Sequence, residues 1–207
     1  EGDVNTYGDN FTKVWENLEK LWQYCLTNNA TIFNKKLWQD KTWRRFEMMC
    51  KSDEKYAGVL KVNGVDIDCT RIVENIDWDI LNNGILGPCH GDLTLDNIIV
   101  NNDNIYYIDH RAGVVNDIFY DICKFYHSLF LHSVNLNNMI TDGVTVTEKD
   151  LIRLNKFRDS DIYKNNWQKI EIGVGCLWLC MAPLNVDPQL NHQLFLWAMQ
   201  HLHKYST

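Results

Sequence analysis

His90-Gly91-Asp92-Leu93-Thr94-Leu95-Asp96-Asn97 opens a stretch that continues through two β-rich runs, Ile98 to Val100 and Ile105 to Ile108. It ends in Asp109-His110-Arg111-Ala112-Gly113-Val114-Val115-Asn116-Asp117-Ile118-Phe119-Tyr120-Asp121. The runs flank Asn101-Asn102-Asp103-Asn104, whose short polar side chains favour a turn, so the spacing predicts a hairpin. Ahead of the hairpin stand a His, an Asp two residues on and an Asn five after that Asp, and the hairpin delivers Asp109 at its far end. Asp117 and Asp121 then open an apolar run that reads as a helix to Leu131, where acids at the N-terminus complement the helix dipole. A polar turn holding His, Asp and Asn is common by chance. The hairpin, the Ile108-Asp109 pair and the D-x-x-x-D spacing together lift this stretch above chance.

H-G-D-x-x-x-x-N followed by a strand ending in I-D resembles the catalytic and metal-binding loops of the aminoglycoside phosphotransferase and choline kinase family. The resemblance covers residues 90–121, running on through Arg111, Gly113, Asp117 and Asp121; outside it only a helical pattern is shared. It implies an α+β, mostly helical chain, built as a protein-kinase-like C-terminal lobe with small β-hairpins. It also implies ATP-dependent transfer of the γ-phosphoryl group to a hydroxyl of a small polar molecule, such as an amino alcohol, a sugar or an aminoglycoside. Asp92 would be the catalytic base, with His90 buttressing the loop, and Asn97 and Asp109 would hold Mg²⁺ and through it the nucleotide. Gly91 stands where protein kinases have Arg, which favours the small-molecule branch. His110 and Arg111 depart from the aromatic and the acidic or small residue usual after the metal aspartate.

The residue types suit that chemistry. A carboxylate has to orient the attacking hydroxyl and accept its proton, and Mg²⁺ prefers hard oxygen ligands such as a carboxylate and an amide oxygen. A competing reading is a catalytically inactive, kinase-like binding or regulatory module, motivated by the missing nucleotide clamp and by His110-Arg111.

Working outward, Phe11, Val14, Trp15, Leu18, Leu21, Trp22, Cys25 and Leu26 recur at three- and four-residue spacing and predict an amphipathic helix. Leu37, Trp38, Trp43, Phe46 and Met48 to Met49 predict a second. In Val59 to Ile67, β-formers flank Asn63-Gly64, a dipeptide suited to a tight hairpin turn. One short helix is expected within Asp68 to Leu81, before Gly84, Gly87 and Pro88 break the chain. Downstream, helices are expected over Thr147 to Phe157 with Thr147 as N-cap, Tyr163 to Met181, and Pro188 to Tyr205.

A kinase also needs a glycine-rich strand-turn-strand and a strand lysine, in a lobe of about 80–100 residues before the catalytic loop. Lys61 lies too close to Asp92 for that role and is expected to be an exposed hairpin residue. Gly173-Val174-Gly175 sits inside an apolar helical run and is expected to serve helix packing. Residues 1–89 therefore read as front helices plus a hairpin, 90–121 as the catalytic and metal loops, and 122–207 as a helical, acceptor-side part. The N-terminal nucleotide lobe is absent from this layout. Either the chain is a portion of a longer enzyme, with the lobe in the parent chain, or it is a natural protein that has lost the nucleotide lobe or borrows it from a partner. Acceptor-side candidates are Glu171, Trp167, Trp178, Trp197, His192, His201 and His203, with core packing the alternative for each Trp.

The formal net charge is −7, and the twenty Lys and Arg residues are scattered, so nucleic acid is excluded as a partner. An acidic balance suits a cationic substrate, although most acidic surfaces are simply solvated. The seven cysteines show no paired CxxC spacing and read as reduced core residues of a cytoplasmic protein. No apolar run is long enough to span a membrane.

Overall fold

The computed structural model describes residues 9–102, 104–111, 115–133 and 148–206 as a mostly helical α+β fold with three two-stranded antiparallel sheets. Helix α1 spans Asp9–Asn28, and its apolar stripe, Phe11, Val14, Trp15, Leu18, Trp22 and Cys25, is buried. Helix α2, Gln39–Ser52, buries Phe46 and Met49 on the inner side of its own stripe. Both follow from apolar residues repeating close to the helical period.

Strands β2, Val59–Val62, and β3, Val65–Asp68, pair antiparallel. Asn63 and Gly64 take positive φ angles of 49° and 82°, as the tight turn between right-twisting strands requires. Lys61 pairs with Asp66 at 3.8 Å on the exposed side of this ribbon, as its position in the sequence suggests.

Where one helix is expected between Asp68 and Leu81, the structure forms two, α3, Cys69–Glu74, and α4, Trp78–Asn82. The cause is local: Asp68 accepts a hydrogen bond from the Arg71 N–H and Asp77 one from the Ile80 N–H, so each aspartate caps its own helix start. Beyond α4, β4, Asn83–Ile85, pairs with β1, Thr31–Phe33. Strands β5, Ile98–Asn101, and β6, Asn104–Tyr107, form the expected hairpin after a short 3₁₀ turn at Leu95–Asn97.

The core lies among α5, Ile118–Ser133, α7, Asp161–Met181, and α8, Pro188–Tyr205, with α6, Glu148–Arg158, packed against α5. Trp178 stacks on Trp197 with centroids 3.5 Å apart, and Tyr126 stacks on Phe157 at 4.5 Å. A Cβ at Gly173 would come within 2.6 Å of Cys123 Sγ, and one at Gly175 within 2.6 Å of Leu202. The Gly-Val-Gly pair thus lets α7 close against α5 and α8, and it forms no phosphate loop. All seven cysteines are free, and burial is the main cause that raises their thiol pKa values above the ordinary range, Cys69 to about 12. No described helix is long and apolar enough to cross a membrane. Gly113 of the motif and Thr147, the expected cap of α6, lie outside the described residues.

Candidate functional site

The 90–97 loop is held from below by the start of α5. Asp117 has no exposed surface, and its carboxylate accepts hydrogen bonds from Trp38 Nε1 at 3.1 Å, the Ile85 N–H at 3.2 Å and the Phe119 N–H at 3.1 Å. It therefore caps α5 and ties that helix to α2 and β4. One turn on, Asp121 accepts from the His90 N–H at 2.5 Å and the Gly91 N–H at 2.9 Å. Burial pushes the Asp121 carboxyl above its ordinary pKa, opposed by those two donors. Beyond their place at a helix N-terminus, the two acids thus anchor the loop and the segment leading to it.

His90 locks the loop from within. Its Nε2 lies 2.7 Å from the Ile108 carbonyl and its Nδ1 accepts from the Asp92 N–H at 3.3 Å, which assigns the proton to Nε2 and leaves the ring no free nitrogen. Gly91 has φ +80°, and a Cβ there would meet the backbone oxygen and Cβ of Arg111 at 3.1 Å. A larger residue is therefore strained in backbone and crowded at once.

Asn97 donates its Nδ2 to the Asp92 carbonyl at 2.8 Å, and its own carbonyl accepts from the Ile108 N–H at 3.0 Å. These bonds bring Asp92, Asn97 and the start of the Asp109 segment together. Asp109 itself is exposed and takes φ 58°, a left-handed conformation that Asp tolerates better than most residues. With Nδ2 donating to the Asp92 carbonyl, the amide oxygen is the remaining side-chain acceptor of Asn97. An amide oxygen and a carboxylate on adjacent segments fit Mg²⁺, which takes one or two protein oxygens and completes its shell with water and phosphate. Among the described residues no three His, Cys, Asp or Glu side chains gather as a closed metal cage.

Asp92 is not alone. Lys124 of α5 approaches Oδ1 to 2.9 Å and Arg111 approaches Oδ2 to 3.1 Å. Lys124 escapes a reading of the motif alone. Its signal is helical spacing, because Asp117, Asp121 and Lys124 recur at four and three residues and share one face of α5.

Beside Asp92 a cleft of about 480 Å³ opens between the start of α2 on one side and Gly91, Arg111, Val115, Asn116 and Tyr120 on the other. Lys36, Lys41, Arg44 and Arg111 contribute its charged lining. Lys41 is half-buried, donates to Tyr120 Oη at 2.7 Å and lies 4.8 Å from that ring's centre. Burial pulls its ammonium below the ordinary lysine pKa and pushes the Tyr120 phenol up to about 12. A smaller apolar cavity of about 190 Å³ lies on the other side of the loop, against Leu18, Leu21 and Trp22.

The late-helix acceptor candidates do not gather in an open site. Glu171 and Trp178 have no exposed surface, Trp197 is buried in the stack with Trp178, and Trp167 lies apart from them, half-exposed beside Tyr205. His192 meets Tyr56 Oη at 3.0 Å, and His203 borders a separate hollow beside Arg71. Glu171 is instead the centre of a buried polar cluster. It accepts from Tyr126 Oη at 3.0 Å and Tyr163 Oη at 2.5 Å, and its other oxygen lies 3.0 Å from His201 Nε2. Burial alone would push its carboxyl up, but His201, Tyr163 and Tyr126 together hold it below its ordinary value.

A native pKa below the unfolded one adds stability above the unfolded value, near 4.5, and loses it as the pH falls through the native value. Glu171→Gln should therefore cost about 1–3 kcal/mol near neutral pH. The gap from wild type should narrow in denaturant titrations below that pH. A gap that does not change with pH would remove the assignment.

Comparison with protein-family models, curated proteins and solved structures finds no match to this chain. What the site can do therefore follows from its own chemistry.

Proposed function

We propose that this chain is the kinase-like C-terminal lobe of a phosphotransferase that moves the γ-phosphoryl group of ATP to a hydroxyl of a small polar molecule. The observation that carries the reading is the joint placement of Asp92, Asn97 and the Asp109 segment, through the Asn97 Nδ2 bond to the Asp92 carbonyl and the Ile108 N–H bond to the Asn97 carbonyl. The reading takes Asp92 as the carboxylate for the hydroxyl, and the Asn97 amide oxygen and the Asp109 carboxylate as the hard oxygens that would serve a metal.

In the reaction, the acceptor oxygen forms a bond to the γ-phosphorus, the bond from that phosphorus to the β,γ-bridging oxygen breaks, and ADP leaves. Asp92 orients the attacking hydroxyl and takes its proton. Lys124 and Arg111 hold the carboxylate in place, and His90 fixes the loop that carries it. Asn97 and Asp109 would hold Mg²⁺, which when bound neutralises charge on the phosphate oxygens.

A second reading, a binding or regulatory module without catalysis, draws on a different observation. Both oxygens of Asp92 are occupied by cations, and no glycine-rich phosphate clamp occurs among the described residues.

Isothermal titration with a non-hydrolysable ATP analogue separates the two. The phosphotransferase reading expects binding about tenfold or more tighter with Mg²⁺ than without, with the metal-dependent part lost in Asp109→Asn. Metal-independent binding, or none at all, favours the module and removes Asn97 and Asp109 as a metal site in this chain.

A further inference from the structure

The cleft beside Asp92 has a charge opposite to that of the chain. Among the described residues four basic side chains and no carboxylate line it, and the whole protein carries a net charge of −7. Arg111 spends its charge on Asp92, but Lys36, Lys41 and Arg44 have no ion-pair partner among the described residues. The acids nearby are already engaged. Asp40 pairs with Lys35 at 3.8 Å, and Asp92 is shared between Lys124 and Arg111.

Lys41 is the informative member. Its ammonium is half-buried, donates to Tyr120 Oη and lies over that ring; Cys180 and Asp92 favour its charge from further off, Arg45 and Arg111 oppose it, and none makes a direct ion pair with it. Taking a cation out of water without a counter-ion is unfavourable, and such a site is stabilised by any anion that enters it. Lys41 and Arg44 lie three residues apart on α2 and so project along the same face toward the cleft. Asn34 and Asn116, joined at 3.2 Å, add neutral polar groups to the wall. The volume suits a small metabolite.

We propose that this cleft binds the anionic group, a phosphate or a carboxylate, of a small hydroxyl compound held by Lys36, Lys41 and Arg44. Resting on the phosphotransferase reading, that compound is the acceptor, with its anionic end anchored by α2 and its hydroxyl presented to Asp92. Gly91 and Arg111 border the cleft and flank Asp92, whereas Asn97 and Asp109 are not in its wall. The anchor therefore lies on the acceptor side of the carboxylate and not with the metal ligands. An acceptor of this class differs from the cationic one that the net charge alone would suit.

The test is calorimetric titration of the full chain with four probes: glycerol 3-phosphate, glycerate, glycerol and choline. Each is repeated in Lys41→Met/Arg44→Gln and in Lys36→Gln/Arg44→Gln, whose two side chains are both exposed. The expected result is that at least one anionic probe binds about tenfold or more tighter than glycerol and choline. That preference should fall by about tenfold in either double variant, and glycerol 3-phosphate against glycerate decides between phosphate and carboxylate.

Equal binding of neutral, cationic and anionic probes overturns the proposal, as does anion binding that survives both double variants or an absence of binding by every probe. An Mg²⁺-nucleotide analogue titrated into the same variants is the second arm. If it weakens as much as the anionic probes do, the cleft holds the donor's phosphates and the acceptor assignment falls. If anion binding is intact and lost in the variants while no nucleotide binds at all, the cleft stands and the phosphotransferase reading falls.

Discussion

Asp92→Asn is expected to lower phosphoryl transfer by about 10²–10⁴-fold, the range for removing a positioned general base. The amide keeps one oxygen for Lys124 or Arg111, so the loop should hold, and unfolding free energy should change by no more than about 2 kcal/mol. Turnover with an acceptor that binds the cleft, measured beside a denaturant titration of the same preparation, separates the two effects. A large loss of turnover with a small loss of stability is the signature of a group that acts on the substrate. Turnover near that of the wild type would remove Asp92 from the mechanism. A loss of turnover matched by global unfolding would reduce it to a structural ion pair between α5 and the 110–111 segment.

Lys124 and Arg111 shape this expectation. A carboxylate held by two cations is fixed in direction, which favours orienting a hydroxyl. That division suits phosphoryl transfer, where positioning and electrostatics supply most of the rate. Lys124 is largely covered by its surroundings, whereas Arg111 is mostly exposed, so Arg111 is the partner free to exchange Asp92 for an incoming anion.

Asp121→Ala is expected to have the largest effect on stability, about 2–4 kcal/mol, because two buried backbone donors, the His90 and Gly91 N–H groups, lose a charged acceptor together. Asp121→Asn should fall between this and the wild type, since its single oxygen can serve one of the two donors. Denaturant midpoints give the magnitude, and hydrogen exchange at the His90 and Gly91 amides gives the location. Exchange should accelerate there well before the rest of α5 opens. A cost below about 1 kcal/mol, with both amides still protected, would show that the loop is held by His90 and the Arg111 N–H bond to the His90 carbonyl without help from Asp121.

The helices and hairpins were legible in the sequence wherever the signal was local. The Phe11 to Leu26 stripe repeats at the helical period, Asn63-Gly64 carries the positive φ angles of its turn, and Pro188 opens the last helix at its first position. The division of 69–82 into two helices was also written locally, in the capping aspartates Asp68 and Asp77, although helical periodicity alone merges them.

Within the site, the order His90, Asp92, Asn97, Asp109 is a property of the chain, because those residues share one tight loop and one hairpin. Tertiary structure decided what surrounds them. β1 and β4 are three residues each and pair across some fifty positions, so no neighbouring residue announces either strand. Lys124 reaches Asp92 only because α5 packs beneath the loop, and Lys41 and Arg44 face it only because α2 lies across the Asp117 anchor through Trp38. Charge in a sequence is a sum over all residues, whereas charge in a cleft is a matter of which side chains the packing brings within a few ångströms. An acidic chain can for that reason present a basic site.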